Sequence, residues 1–489
     1  MSGRRLSFAR PEIGPAGARP QAGARASEQA RLRVALLVYR GNPRSGGQGV
    51  YTRYLSRELA RQGHEVTVFA GQPWPVLDGG HDGGHDDGHA DTNGNGGGGH
   101  GGVRLVKVPS LDLYREPDPF RLPRPGEIRD WVDLVEVGTM MTGGFPEPRT
   151  FSLRARRMLA GRGGGLDIVH DNQSFGTGLL GLMDDGWPVI GTCHHPVTVD
   201  RLVDLAHAGT WRRELSVRRW YGFVGMQNRV ARRLPRLLTV SSTSRRDIVE
   251  QMGVAPERVA IVPIGADHEL FRPAAAGRSA RVPGRVMTTA SADVPLKGLA
   301  YLLEALAKLR TDEPEAHLVV VGEARPASDA ARTIERLGLE GAVTFRPGVS
   351  DTELVELYRE ASVVAVPSLY EGFSLPAVEA MACEVPVVAT MGGALPEVVG
   401  PDGHAALLVP PADAGALAMA LGRLLSRPDG GAPELAARLG HNGRRRVLER
   451  FTWARCATGV VDQYRHVLAE HENGHVRAEH GDRRGRSGC

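Results

Sequence analysis

Cysteine is scarce in this chain of 489 residues, and its four copies, Cys193, Cys383, Cys456 and Cys489, are far apart. No two form a CxxC pair, so a disulfide framework and a zinc cluster are both disfavoured, and a reducing compartment fits. No run of about 18 apolar residues is present, so no membrane-spanning helix is predicted. The N-terminus lacks the apolar core of a signal peptide. These features predict a cytoplasmic protein.

Positive charge is also sparse outside the N-terminus. The formal net charge is +4, but residues 1–33 hold seven Arg and two Glu, so the remainder is close to neutral. A basic surface for nucleic acid is therefore not supported. The length suggests two large domains, and a hydrophobic content of 41% suits a globular protein.

Alternating strand and helix signals predict an α/β fold with two doubly wound, Rossmann-like domains. The first spans 31–275 and opens with a buried strand at 33–39, a helix at 50–62 and a strand at 66–70. The second spans 276–450 and repeats the alternation. Residues 1–30 are rich in Arg, Ala, Gly and Pro and are predicted to be disordered.

Residues 78–102 interrupt the first domain. Twelve of these 25 residues are glycine, and His81, His85, His89 and His100 are interspersed with Asp. A metal-binding tract is one interpretation. A flexible low-complexity insert is the interpretation we favour, because the glycines prevent a helix that would align the histidines.

The most informative segment is Ser368–Glu379, with the string E-G-F-S-L-P-A-V-E from Glu371 to Glu379. It follows an apolar run at 363–366 that predicts a buried parallel strand, and a helix is predicted over 376–383. Glu371 thus lies at the carboxyl end of a strand, where open α/β sheets bind ligands, and Glu379 lies in the next helix. The backbone N–H groups between them can face an anion.

This string resembles the signature of retaining GT-B glycosyltransferases of family four, which include the phosphatidylinositol mannosyltransferases. The resemblance extends over about 33–468. It implies two Rossmann-like domains around a cleft, a helix at 451–468 that crosses back to the first domain, and a disordered tail at 469–489. The implied activity is transfer of a sugar from a nucleotide-diphosphate donor to an unidentified acceptor, with retention of configuration and without a metal or other cofactor.

The resemblance also implies roles for individual residues. Glu379 would hold the ribose hydroxyls of the donor. Glu371 would hold the donor sugar, together with the N–H groups of Phe373, Ser374 and Leu375.

Lys297 follows a strand and an irregular loop and resembles the K-G of the family, which reaches the diphosphate. A cation there would stabilise the negative charge of the departing nucleotide. An Arg usually stands six positions earlier in the family, where this chain has Ser291. This departure leaves the donor type open.

On the first domain, His194 matches the family's T-x-H segment, whose His lies beside the transferred sugar. The turn formed by 46–49 precedes a helix, and the matching loop of the family touches the donor diphosphate or the acceptor, which makes Gly47 and Gly49 candidates. The pair His194 and His195 could suggest zinc, but adjacent side chains on an extended segment point apart, so we expect no metal site.

Two further segments are placed near the cleft. Val240–Ser244 carries hydroxyls suited to capping a helix, and related enzymes use it to line the cleft. Gly392–Glu397 resembles the family's G-G-x-P-E loop, for which we predict a turn and a helix start.

The segment 211–236 is dense in arginine with interleaved aromatic residues. Such a segment could lie on anionic lipid or could be a solvated helix face packed through its aromatics, and the sequence leaves both open. The acceptor could accordingly be lipid-linked or a small molecule, and the protein could be peripheral to the inner face of the membrane.

Two other functions remain as alternatives. One is a GT-B nucleotide-sugar epimerase or hydrolase, which needs no acceptor. The other is a catalytically silent nucleotide-sugar-binding protein. A nicotinamide dehydrogenase is disfavoured, because no G-x-G-x-x-G follows the first strand of either domain.

Overall fold

The computed structural model describes residues 31–42, 47–78, 81–82, 102–115, 118–161, 165–206, 208–275, 281–290, 294–323, 328–425 and 432–485. The N-terminal extension at 1–30, Gly46, Ser291 and most of the 78–102 insert therefore lie outside the described residues. Within them the chain forms two parallel sheets flanked by helices, as the sequence predicts.

The first sheet has eight strands in the order β3-β4-β2-β1-β5-β6-β7-β8. They are β1 (Arg33–Val38), β2 (Glu65–Ala70), β3 (His81–Asp82), β4 (Val103–Lys107), β5 (Ile168–Asn172), β6 (Val189–Thr192), β7 (Arg236–Thr239) and β8 (Val259–Ile261). Its helices are α1 (Gly47–Arg61), α2 (Trp131–Met141), α3 (Glu147–Ala160), α4 (Gly178–Asp184), α5 (Val197–Ala206), α6 (Trp211–Trp220), α7 (Val224–Ala231) and α8 (Ser242–Asp247).

The second sheet has six strands in the order β11-β10-β9-β12-β13-β14. They are β9 (Arg285–Thr289), β10 (His317–Val321), β11 (Val343–Arg346), β12 (Val363–Val366), β13 (Val387–Thr390) and β14 (Ala406–Val409). The helices are α9 (Leu299–Asp312), α10 (Asp329–Leu337), α11 (Asp351–Glu360), α12 (Leu375–Ala382), α13 (Leu395–Val399), α14 (Ala414–Leu425), α15 (Ala432–Arg450) and α16 (Trp453–Gly485).

Burial on both faces explains why the strands are short apolar runs. Every residue of β12 and β13 is buried, as expected for parallel strands covered by helices on each side.

Each sheet also has a point where the strand order reverses. In the first sheet β1 lies between β2 and β5, and in the second β9 lies between β10 and β12. Ligands bind at such points in open α/β sheets.

The terminal helix α16 crosses back to the first domain, as the resemblance implies. Trp453 stacks on Tyr54 of α1 with ring centroids 5.2 Å apart. Farther along, the hydroxyl of Tyr464 lies 2.7 Å from Nδ1 of the buried His170 on β5. Residues of the first domain and of α16 therefore share one hydrophobic core.

Some predicted boundaries were wrong. The tail predicted as disordered at 469–489 is helical up to Gly485, because α16 continues past 468. The insert at 78–102 contributes the two-residue strand β3, which pairs with β4. Helices α1 and α12 begin earlier than predicted, at Gly47 and Leu375. In the part of the chain that the structure describes, no helix is both long and apolar enough to cross a membrane.

Candidate active site in the interdomain cleft

A cleft of about 1070 Å³ lies between the carboxyl ends of the two sheets. The first domain lines it with Tyr39, Arg40, Asn42, Gly47, Gln48, Pro73, Asp112, Tyr114, Arg115, Gln173, His194, His195, Val240 and Ile264. The second domain lines it with Lys297 and with Glu371, Gly372, Phe373, Ser374, Leu375 and Pro376. Most of the site residues predicted from the sequence therefore line this cleft.

The second-domain wall is built around an ion pair between Lys297 and Glu371. Lys297 follows β9 and Glu371 follows β12, and because these strands are neighbours the two loops meet at one edge of the sheet. Lys297 Nζ donates to Glu371 Oε1 at 2.8 Å, and the Ser368 hydroxyl donates to the same oxygen at 2.8 Å. Gly298 makes this approach possible, because a Cβ there would lie 2.0 Å from the carbonyl oxygen of Pro367.

Ser374 precedes helix α12 with a backbone φ of 94°, a conformation that favours glycine. Ser374 is 5% exposed, and its hydroxyl has no hydrogen-bond partner among the described residues. Leu375 and Pro376 follow it along the cleft, whereas the ring of Phe373 packs behind the wall against Phe451. The first turn of α12 therefore brings N–H groups to the cleft, with the buried and unpaired Ser374 hydroxyl beside them, and this environment suits an anion.

Glu379 lies deeper on α12 and is not among the residues that line the cleft. Tyr358 donates its hydroxyl proton to Glu379 Oε2 at 3.0 Å. Burial raises the pKa of Glu379 to about 7, and the Tyr358 bond opposes that rise. Its predicted contact with ribose hydroxyls stays a prediction.

The two histidines of the first-domain wall point in different directions, as predicted. His194 Nε2 lies 2.8 Å from Asn172 Oδ1, and burial lowers the pKa of His194 to about 3. His195 Nε2 lies 3.0 Å from Asp200 Oδ2. Burial acts to lower the pKa of His195, but the bond to Asp200 and its charge raise it overall. Within the described residues, no three His, Cys, Asp or Glu side chains are grouped to hold a metal ion.

The two candidate glycines occupy different positions. Gly47 begins α1 and lines the cleft. Gly49 is buried one step behind it, where a Cβ would lie 2.1 Å from the carbonyl oxygen of Asn42. Gly49 thus allows the loop after β1 to pack on the helix, and it is not among the cleft-lining residues.

Sequence reasoning missed the polar and aromatic residues on the far side of the first-domain wall. Tyr39 and Arg40 directly follow β1, and Asp112 and Tyr114 follow β4. Their position after strand ends is the signal that could have identified them. Arg40 Nε lies 3.3 Å from Glu147 Oε2, and burial raises the pKa of Glu147 to about 8.

Contacts between the domains were also missed. The Glu397 carboxylate accepts from the Ser242 backbone N–H at 2.9 Å and from the Ser242 hydroxyl. The Ser244 hydroxyl lies 3.1 Å from the His194 carbonyl oxygen and 3.3 Å from that of Gly372. Ser241 caps α8, as the predicted hydroxyl-rich start requires, and α13 begins at the predicted turn.

Two family models match the chain. "Glycosyltransferase Family 4" matches residues 45–270, and "Glycosyl transferases group 1" matches residues 279–446. The matches correspond to the two sheets, with the cleft between them.

Similar proteins agree with these matches. The chain is 52% identical to an "MMP alpha-(1->4)-mannosyltransferase" of Mycolicibacterium hassiacum over 90% of this chain and 99% of that one. It is 30% identical to a D-inositol 3-phosphate glycosyltransferase of Saccharomonospora viridis over 88% and 91%. Among solved structures, the sucrose-phosphate synthase of Thermosynechococcus elongatus is similar with a TM-score of 0.62 at 25% identity, over 90% and 100%. WaaG, a glycosyltransferase involved in lipopolysaccharide biosynthesis, shares the fold with a TM-score of 0.60 at 17% identity, over 87% and 98%.

Proposed function

Because the chain belongs to the group 1, family 4 glycosyltransferases, we propose that it transfers a mannosyl residue from a nucleotide-diphosphate donor to a sugar acceptor with retention of configuration. The mannosyl group and the (1→4) linkage are suggested by the name of the relative with 52% identity. An α-linked product formed from an α-linked donor requires retention.

The observation that carries this proposal is the Lys297–Glu371 pair beside the first turn of α12. A departing nucleotide diphosphate gains negative charge, and an ammonium group with helix N–H groups beside it stabilises that charge. Lys297 would supply this charge without a metal. Glu371, with the N–H groups of Phe373, Ser374 and Leu375, would orient the sugar ring, and Glu379 would accept from the ribose.

The acceptor would enter from the first-domain wall. A (1→4) linkage means that O4 of a sugar attacks the anomeric carbon. Tyr39, Arg40 and Asp112 offer an aromatic face and polar groups that suit a sugar, and Arg40 is already paired with Glu147. The exposed Arg115 on the same wall favours a phosphorylated polyol as a second candidate, in keeping with the name of the relative with 30% identity.

The test has two stages. Thermal-shift measurements with GDP, UDP and ADP identify the nucleotide, since a ligand at a hundred times its Kd stabilises by about 2.7 kcal/mol. The matching mannosyl donor is then incubated with an α-mannoside and with inositol 3-phosphate, and NMR gives the linkage and anomeric configuration of the product. An α-(1→4)-mannoside is the expected result. Products from the donor alone would indicate an epimerase or hydrolase, and binding without turnover would indicate a silent binding protein.

We further propose that the protein works in the cytoplasm and touches the inner face of the membrane through α6. The described cysteines Cys193, Cys383 and Cys456 are buried and unpaired, which suits a reducing compartment. Val217 is the one buried residue of α6, and Trp211 and Leu215 are 69% and 42% exposed beside arginines. An apolar strip edged with cations matches an anionic lipid surface. By contrast, Trp220 packs into an aromatic cluster with Phe145.

A further inference from the structure

The imidazole of His194 is held by a residue that the sequence did not single out. Asn172 ends β5 and is fully buried, and its Oδ1 lies 2.8 Å from His194 Nε2. The backbone of His194 is fixed as well, because its N–H donates to Gln173 Oε1 at 2.8 Å. The ring of Tyr51 stands edge-on to the imidazole at a centroid distance of 4.7 Å.

The neighbours of Asn172 determine which way its amide points. Asn172 Nδ2 lies 3.1 Å from the Gln48 carbonyl oxygen and 3.1 Å from Thr52 Oγ1. Thr52 donates its own proton to the Gln48 carbonyl oxygen at 2.8 Å, so its oxygen is left to accept from Asn172. Both groups facing Nδ2 are therefore acceptors, and turning the amide round would bring Oδ1 against them.

Because Asn172 Oδ1 can only accept, the imidazole must donate from Nε2. A neutral imidazole carries one proton, so Nδ1 is left with a lone pair. We infer that Asn172 is a positioning residue that fixes His194 in the Nε2-protonated tautomer, which leaves Nδ1 of this cleft-lining residue as a hydrogen-bond acceptor. Neutrality is supported by the partial burial of this residue, which together with the charge of His195 lowers the pKa of His194 to about 3.

The chemical consequence rests on the proposed function. A hydroxyl of the donor sugar would donate to Nδ1 and orient the ring. As the bond to the diphosphate breaks, positive charge builds on the sugar, and a lone pair facing the ring is compatible with that charge. The other tautomer would aim an N–H at it. The contact therefore favours the transition state over the bound donor.

The tautomer is measurable without any substrate. Protein labelled with ¹⁵N-histidine gives long-range ¹H–¹⁵N correlations whose pattern distinguishes Nε2–H from Nδ1–H, and His194→Gln assigns the His194 signals. The expected result for the free wild-type enzyme is a single Nε2–H tautomer. An Nδ1–H tautomer or a mixture in the wild type would overturn the inference, whether or not any variant folds.

Substitution of Asn172 distinguishes its effect on the His194 tautomer from a general effect on packing. Asn172→Leu removes the acceptor and should yield a mixture of tautomers. Asn442→Leu is the matched control, because Asn442 donates to the His404 carbonyl oxygen on the second domain. An unchanged His194 tautomer in a folded Asn172→Leu protein would overturn the inference.

Kinetics then link the tautomer to transfer. In Asn172→Leu we expect kcat to fall by up to about a hundredfold with little change in the donor KM, since small misplacements of a positioned group have effects of this size. Equal changes in kcat and KM would contradict the role at the transition state. An Nε2–H tautomer in an enzyme that turns over no mannosyl donor would leave Asn172 as a positioning residue and refute the proposed function instead.

Discussion

Ser374 combines two unfavourable features at one position of the cleft. Its φ of 94° lies in a region that residues other than glycine rarely adopt. Its buried hydroxyl has no hydrogen-bond partner among the described residues. Each feature lowers the stability of the folded protein, and such unfavourable features are found mainly at functional sites. A donor phosphate or sugar hydroxyl that bonds Ser374 Oγ would remove the second unfavourable feature.

Replacing Ser374 should therefore separate stability from function. Ser374→Gly should stabilise the free enzyme by about 1 kcal/mol, because glycine adopts this φ without strain, and should weaken donor binding. Ser374→Ala should also weaken binding but should gain less stability, because it removes the unpaired hydroxyl and keeps the unfavourable φ. Thermal unfolding and calorimetry of the donor measure the two effects. Ala412→Gly relieves a φ of 60° at an exposed turn and controls for the backbone effect. Unchanged donor affinity in both Ser374 variants would contradict the assignment.

Glu379 should make both stability and nucleotide binding depend on pH. Burial raises its pKa from 4.5 to about 7, so it stabilises the fold fully below about pH 4.5 and loses that contribution as the pH rises through about 7. Ribose hydroxyls donate to the ionised form, so nucleotide affinity should increase with pH up to about 7.

Glu379→Gln should abolish both trends, while Glu340→Gln, at an exposed turn, should retain them. Calorimetry in buffers of different ionisation enthalpy detects the proton released on binding by the wild type. A nucleotide affinity independent of pH in the wild type would show that Glu379 does not contact the ribose.

At the scale of elements, adjacent parallel strands explain why residues distant in sequence meet. Lys297 and Glu371 are neighbours because β9 and β12 pair. The sequence and its resemblance predicted that both residues contact the donor, but they did not predict the ion pair between them. The sequence also did not predict the bond between Asn172 and His194, because that depends on the side-chain rotamers at the ends of β5 and β6. The apolar pattern of the sequence predicts where the strands lie. Which polar side chains at the strand ends form hydrogen bonds depends on tertiary packing, which that pattern does not specify.

Helix α6 should control contact with anionic membranes. A cation near such a surface contributes about 1 kcal/mol, so Arg212→Glu with Arg213→Glu should weaken liposome binding more than tenfold. Co-sedimentation with phosphatidylglycerol vesicles at low salt measures this. Arg438→Glu with Arg445→Glu on α15 changes the net charge equally and should have little effect. Failure of the wild type to bind would favour an acceptor that is not in a membrane.

The whole molecule is closed around its cleft by contacts that join the two domains. Glu397 of α13 holds the start of α8, and Arg53 of α1 pairs with Asp351 of α11 at 2.8 Å. The domain order, the two sheets and the crossover helix were predicted from the alternating pattern and the resemblance. These closing contacts were not, because they depend on the relative placement of two surfaces that no local pattern encodes.

Loss of the Glu397 contact should open the molecule. In Glu397→Ala the carboxylate that accepts from Ser242 is gone, so the closed form loses stability relative to an open one. We expect a larger radius of gyration by small-angle X-ray scattering and a higher donor KM, with the unfolding midpoint nearly unchanged. Glu449→Ala, on the exposed face of α15, is the control. An unchanged radius of gyration and KM would show that this contact does not set the domain arrangement.

The central claim is that sugar transfer occurs at the edge of the second sheet where Lys297 meets the departing diphosphate. Steady-state kinetics of Lys297→Met, beside Lys308→Met on the exposed face of α9, tests it most directly. We predict that kcat falls on the order of a hundredfold or more in Lys297→Met, since a charged group at a developing charge has effects of this size, while Lys308→Met and the stability of both variants stay near wild type. Wild-type kcat in a folded Lys297→Met protein would contradict the account.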